Sequence, residues 1–117
     1  MTPPTGNLLQ GTLDLLVLKT LSWGPRHGYG VARWLEDTTD DALHVEEGSL
    51  YPALYRMSKK GWLKAEWGTS ENNRKAKYYR LTAEGERQFR EQTTGWTRFA
   101  GAVNRAVAVT QAPSWAR

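Results

Sequence analysis

Residues 46–61, EEGSLYPALYRMSKKG, limit what this chain can be more than any other segment. At about 100° per residue, the apolar side chains of Leu50, Leu54 and Met57 fall on one narrow stripe. The opposite side collects a proline and three cations, namely Pro52, Arg56, Lys59 and Lys60. The segment therefore predicts a short amphipathic helix with a basic outer face.

The same residues predict where this helix begins and ends. Pro52 has no backbone N–H, so it fits best in the first turn, which favours a start near Ser49. Ser49 can cap that end, and Glu46 and Glu47 suit the positive end of the helix dipole. Gly61 is a suitable stop. We expect a helix over residues 49–60 of about three turns, which a larger scaffold must hold because so short a helix is unstable alone.

The basic face of this helix belongs to a wider patch of charge. The 117-residue chain has a net charge of +4, but residues 56–80 hold eight basic residues against two acidic ones. This local charge of +6 leaves −2 for the remainder of the chain. Basic patches of this kind bind phosphates or acidic partners, although a merely solvated face remains an alternative.

Composition excludes several other classes of protein. The chain has no cysteine, so disulfides and thiolate metal sites are excluded, which fits a reducing cytosol. No apolar run approaches the roughly 18 residues of a membrane span, and residues 1–6 lack the features of a signal peptide. We expect a soluble, cytoplasmic, single-domain protein.

The segments before the basic helix predict two further helices. Apolar residues recur at three- and four-residue spacing from Leu8 to Leu21, and a second helix follows from about Tyr29 to Asp37 after a glycine-rich turn. Residues 1–7 are expected to form a flexible tail, and Asp14 to be a partly exposed carboxylate. The polar connector 38–45 can supply a short strand at residues 43–45. Its acids could hold a cation, but solvated acids are the simpler interpretation.

The segments after the basic helix predict a hairpin and a long helix. Residues 63–67 and 77–81 alternate apolar and polar side chains, as half-buried strands do, and turn formers separate them. Thr82 can cap a last helix over residues 82–110, which leaves a tail at 111–117. The predicted fold class is mostly α with a small β-hairpin (α+β). It comprises a winged helix-turn-helix over residues 8–81, followed by a long C-terminal dimerisation helix.

Four segments of the chain resemble the PadR-like family of transcriptional regulators. They are LSWGPRHGYG (21–30), EGSLYPALYRM (47–57), GWL (61–63) and EWGTSENNRKAKYYRLTAEG (66–85). The resemblance implies a homodimeric DNA-binding regulator in a prokaryotic cytoplasm, usually a repressor released by a small molecule. The single helix predicted after the hairpin resembles the short type within that family.

The residues themselves also predict how double-stranded DNA would be bound. A three-turn helix fits the major groove, and hairpin 68–77 would lie on the backbone or in the minor groove. Within the helix, only Arg56 can make a bidentate contact with guanine. Tyr51 and Tyr55 can equally be packing residues, and His27 a locally satisfied turn residue. The predicted DNA contacts are His27, Tyr29, Ser49, Tyr51, Pro52, Arg56, Lys59, Lys60, Asn73, Arg74, Lys75 and Lys77.

An apolar stripe on the last helix predicts a homodimer. Phe89, Trp96 and Val103 recur every seven residues, and Phe99 follows the adjacent heptad position. Leu9 and Leu13 of the first helix are expected to contribute to the same interface. Trp96 and Phe99 could also line a gap that accepts a small aromatic or hydrophobic effector. The simpler alternative is that both rings only fill the interface.

Two other function classes compete with DNA binding. A winged helix can serve as a protein–protein interaction module without specific DNA binding, but such a module has no need of a concentrated basic patch. An enzyme is the other class. The two histidines, His27 and His44, lack a neighbouring nucleophile or metal-ligand motif, and no phosphate-binding glycine loop follows a predicted strand. We therefore expect no catalytic activity, no cofactor, no metal site and no membrane partner.

Overall fold

The computed structural model describes the backbone of residues 7–116 and the side chains of residues 11–116. It confirms the predicted winged helix-turn-helix with a long last helix. The predicted N-terminal tail, residues 1–7, lies outside the described residues except for Asn7, which begins the first helix. The elements are α1 (Asn7–Leu21), β1 (Arg26–His27), α2 (Gly28–Thr38), α3 (Glu47–Lys59), β2 (Leu63–Thr69), β3 (Lys75–Leu81) and α4 (Ala83–Ala108).

One hydrophobic core joins the three N-terminal helices to the sheet. Each helix contributes side chains at three- or four-residue spacing, which places them on a single face. The predicted stripe of α3 is confirmed, because Leu50, Leu54 and Met57 are all buried. Burial of each such side chain stabilises the fold by about 1.5–3 kcal/mol. The buried set is Val17, Leu18, Leu21, Val31, Leu35, Leu50, Ala53, Leu54, Met57, Leu63 and Tyr79.

The sheet has three antiparallel strands in the order β1-β3-β2, one more than the predicted hairpin. β2 and β3 form that hairpin, with Leu63 opposite Leu81 and Thr69 opposite Lys75. The extra strand, β1, pairs its two residues with Tyr79 and Tyr78 of β3. The predicted strand at residues 43–45 was wrong. Both edges of β3 are already paired, and residues 43–45 pass from α2 to α3 without regular structure.

The start of α3 also differs from the prediction. The N-cap residue is Glu46, whose side chain makes no capping hydrogen bond, so Ser49 is the third helical residue and not the cap. The amide of Leu50 already donates to the carbonyl of Glu46 at 2.9 Å. Pro52 therefore lies in the second turn, where it deprives the carbonyl of Gly48 of its usual amide donor. Burial of the α3 stripe outweighs this single lost bond.

The start of α4 is fixed against the turn that follows α3. Thr82 caps α4 as predicted, because its Oγ1 accepts a hydrogen bond from the Gly85 amide at 3.0 Å. The Thr82 amide donates to the carbonyl oxygen of Trp62 at 3.0 Å. A Cβ atom at Gly85 would lie only 2.1 Å from that oxygen. Glycine at this position therefore allows the close approach that sets the direction of α4.

We predict that Gly85→Ala destabilises the protein by about 1–3 kcal/mol, since backbone must move to admit the methyl group. Gly101→Ala is the matched control in the same helix, because an added Cβ there meets only the flexible end of Arg105 at 3.4 Å. The control should stabilise the protein by roughly 0.5–1 kcal/mol through helix propensity. Urea unfolding measures both. Equal effects of the two substitutions would contradict the close approach of Gly85 to the carbonyl oxygen of Trp62.

Candidate nucleic-acid interface

A groove with a volume of about 380 Å³ lies between the N-terminus of α2, the outer side of α3 and the wing, which we define as residues 63–81. Its walls combine tyrosine rings with polar and basic side chains. The structure thus brings together half of the predicted DNA contacts. They are His27, Tyr29, Tyr51, Arg74, Lys75 and Lys77.

Tyr51 reaches this groove because α2 begins with glycine. A Cβ atom at Gly28 would lie 2.7 Å from Cε1 of Tyr51, so the tyrosine ring lies directly against the first turn of α2. Tyr51 is nevertheless exposed, as is Tyr29. The pKa of the buried Tyr79 is raised, mainly by its burial and to a smaller extent by the neighbouring Tyr51. Tyr51 therefore packs against α2 and also presents a surface to solvent. Tyr55 is exposed, which does not support the packing alternative for that residue.

The predicted phosphate contact of His27 is not supported, because both ring nitrogens are engaged within the protein. Nδ1 accepts a hydrogen bond from the Gly30 amide at 2.9 Å and so caps α2. The ring proton then lies on Nε2, which faces Oε2 of Glu71 at 3.5 Å. The side chain is only 9% exposed and meets Tyr78 edge-on at 5.3 Å. These contacts favour the alternative of a locally satisfied turn residue, and the predicted phosphate contact stays untested.

Glu71 ties the tip of the wing to β1, a contact that the sequence did not indicate. Its carboxylate accepts two hydrogen bonds from Arg26, at 3.2 and 3.4 Å. The pKa of this carboxyl is lowered to about 2. The largest cause is a hydrogen bond from the backbone N–H of Glu71 itself, and the next is the hydrogen bond from the Arg26 guanidinium. The charge of Glu71 is therefore compensated by Arg26 and does not oppose the neighbouring cations. The available signal was a single acid within the otherwise basic turn.

The cations of the wing are exposed and held on a defined turn. The Ser70 amide donates to the carbonyl of Arg74 at 2.8 Å, and Asn73 adopts a left-handed conformation with φ of 61°. Lys75 and Lys77 lie on the same face of β3 as the buried Tyr79, because alternate residues of a strand share a face. They therefore extend the core-facing side of the sheet outward past α3. Asn73 lies at the exposed tip and does not line the groove.

Arg56 was predicted to stand on the outer basic face of α3, and this was wrong. Its Nη2 donates to Oδ1 of Asp14 on α1, and the two side chains are 26% and 9% exposed. Asp14 is thus buried and not the partly exposed carboxylate expected. Burial raises the pKa of Asp14 above its usual range, and the guanidinium of Arg56 acts in the opposite direction. Arg56 therefore links α3 to α1, and its predicted contact with guanine stays untested.

The remaining contacts predicted on α3 lie outside the groove. Ser49 and Pro52 are exposed near its N-terminal end. Lys59 and Lys60 are exposed at the opposite end, where their ammonium groups lie over the rings of Tyr55 and Trp62 at 5.5 and 4.8 Å. These four residues keep their predicted roles as untested expectations.

The residues predicted to form a dimer interface fall into two groups. Leu13 and Phe89 pack against the core of the same chain, and the side chain of Leu9 lies outside the described residues. In contrast, Trp96, Phe99 and Val103 are 43%, 51% and 44% exposed. The Trp96 and Phe99 ring centroids are 6.0 Å apart, and both rings line an open cleft of about 320 Å³ between α1 and α4.

Two kinds of feature are absent from the part of the chain that the structure describes. None of its helices is long and apolar enough to cross a membrane. Its histidine and acidic side chains nowhere form a group of three or more suited to a metal ion. His44 of the connector before α3 contacts Glu36 of α2 at 2.6 Å and Glu46, the N-cap of α3, at 3.3 Å.

Comparison with known proteins gives a consistent result. The model of the transcriptional regulator PadR-like family matches residues 17–91. A PadR-like transcriptional regulator from Bacillus cereus is 28% identical, with a TM-score of 0.76 over 90% of this chain and 100% of that one. A PadR family regulator from Eggerthella lenta is 33% identical, with a TM-score of 0.72 over 88% of both chains. A transcriptional regulator from Clostridium thermocellum is 27% identical, with a TM-score of 0.75 over 86% of this chain and 97% of that one.

We predict that Arg56→Met lowers the free energy of unfolding by about 1–3 kcal/mol, because Asp14 stays buried without this partner. The double variant Asp14→Leu with Arg56→Met should recover most of that loss. Lys59→Met is the control on an exposed position of the same helix and should change stability by less than about 0.5 kcal/mol. Chemical denaturation measures all three. A stable Arg56→Met protein that loses preference at one base pair would instead restore Arg56 to base recognition.

Proposed function

Since this chain belongs to the PadR-like family of transcriptional regulators, we propose that it is a sequence-specific DNA-binding repressor in a prokaryotic cytoplasm. Proteins of this family are regulators and not enzymes; they bind DNA and typically dimerise. In our proposal, a homodimer presents α3 of each subunit to the major groove, and the wing lies on the backbone or in the minor groove.

The observation that supports this proposal best is the charge of the groove between α2, α3 and the wing. Arg74, Lys75 and Lys77 are exposed there, and the carboxylate of Glu71 is ion-paired with Arg26. The surface is therefore positive at neutral pH, as a phosphate backbone requires. Tyr29 and Tyr51 are exposed at the same place, and a tyrosine hydroxyl can donate to a phosphate oxygen. A protein–protein module gives no reason for this concentration of charge.

The outer side of α3 has the side chains that base recognition needs. Ser49 and Tyr51 offer hydroxyl groups, and Pro52 offers an apolar surface suited to the methyl group of thymine. All three are exposed near the N-terminal half of the helix. Lys59 lies at the far end, where a phosphate contact is the natural role. We assign Arg56 to the scaffold, because its partner Asp14 belongs to α1.

The exposed stripe on α4 supports the homodimer. Trp96, Phe99 and Val103 leave large apolar areas in water, and a second copy with the same stripe would cover them. The cleft beside Trp96 and Phe99 also supports the proposal of a small aromatic or hydrophobic effector. Such a ligand would release DNA only if it prefers a dimer arrangement that misplaces the two α3 helices.

We predict that Lys75→Ala weakens binding to cognate and random duplexes alike. The slope of log affinity against log salt should fall in magnitude by about 0.9, the value for one lost phosphate contact. Lys64→Ala is the matched control, since Lys64 is an exposed lysine on the opposite face of the same sheet. Fluorescence anisotropy over a salt series measures both. An unchanged slope for Lys75→Ala would remove the wing from the phosphate-binding surface.

We predict that Phe99→Glu converts the protein to monomers, because it places a charge within the apolar stripe of α4. Val109→Glu introduces the same charge at an exposed position just beyond α4 and should leave the dimer intact. Analytical ultracentrifugation distinguishes the two species. A Phe99→Glu protein that still sediments as a dimer would show that the interface lies elsewhere.

A further inference from the structure

Trp67 is a large apolar side chain on the wing that is mostly exposed to solvent. It lies on β2, and 64% of its surface is exposed. Exposure alone assigns no role to such a residue, but an exposed aromatic ring among cations suits a partner with both apolar and anionic groups. We propose that Trp67 contacts DNA directly through its indole ring, an inference that rests on the proposed DNA binding.

The sheet register places Trp67 among the cations of the wing. Trp67 is paired with Lys77, and Thr69 with Lys75, so these four residues follow one another on a single face. That face is the one that buries Leu63 and Tyr79 nearer the core. The ammonium group of Lys75 lies 5.1 Å from the centroid of the Trp67 ring. The indole and both lysines therefore form one continuous surface on the side of the sheet that packs against α3.

The chemistry of this surface identifies its partner as a DNA duplex. An apolar protein surface that covered the indole would remove Lys75 and Lys77 from water without compensating their charges. A duplex offers an apolar surface for the indole and negative charge for the lysines within a few ångströms, because phosphates flank the apolar edges of the deoxyribose rings. Apolar side chains are used against the minor groove by many DNA-binding proteins. The indole would pack on the sugars that form the groove wall while the lysines bind the adjacent phosphates.

An uncharged contact has a signature that separates Trp67 from the lysines. Loss of a lysine–phosphate contact changes the salt dependence of binding, whereas loss of an apolar contact lowers affinity equally at every salt concentration. A residue that only positions Lys75 would behave like Lys75 itself. The salt slope therefore distinguishes a contact residue from a positioning residue.

The test uses the duplex that the full-length parent protein selects from a random DNA pool. Trp67→Ala should weaken binding about tenfold at each salt concentration with an unchanged slope, and Trp67→Phe should lose less. Trp23→Ala is the matched control, because Trp23 is even more exposed but lies after α1, away from the wing. It should bind like the parent.

Binding of Trp67→Ala with parental affinity would overturn the inference, and so would a slope reduced by about 0.9, which marks a positioning role. A second measurement avoids any folding defect of the variants. In the parent protein, the indole N–H signal of Trp67, assigned with Trp67→Phe, should shift when the selected duplex is added, and an unmoved signal would also overturn it. A parent protein that selects no sequence would overturn the proposed function together with this inference.

Discussion

Burial of the apolar stripe of α3 is the constraint on which the rest of the structure depends. A helix of 13 residues has little stability of its own, so Leu50, Leu54 and Met57 hold it against α1 and α2. Their burial determines which side of α3 faces outward. The ion pair between Arg56 and Asp14 then fixes the helix against α1. The exposed side therefore presents tyrosine, serine and proline, while Arg56 pairs with Asp14 of α1.

The position of the wing follows from the same packing and from two tethers. β3 pairs with β1 at the start of α2, and Arg26 of β1 holds Glu71 at the wing tip. His27 joins the two tethers, because it caps α2 and faces Glu71. These contacts compensate the negative charge of Glu71 beside Lys75 and Lys77. The groove is thus positive because its acid is compensated, and not only because lysines are numerous.

Sequence reasoning succeeded where the determinants are local. The stripe of α3, the hairpin and the Thr82 cap depend on spacing within a few residues, and all three are confirmed. It failed where the partner is remote: Asp14 lies 42 residues from Arg56, and Arg26 lies 45 residues from Glu71. β1 has only two residues, too few for any alternation to reveal. The start of α3 was misplaced because a local rule about Pro52 was outweighed by core burial.

The central claim is that a two-fold dimer presents both α3 helices to adjacent major grooves of one duplex. Methylation interference on the duplex that the protein selects tests this most directly, because the modified guanine N7 atoms lie in the major groove. We predict two blocks of interference related by two-fold symmetry, with centres separated by about one helical turn of 10 base pairs. Tight binding with a single block, or with no major-groove interference, would contradict it.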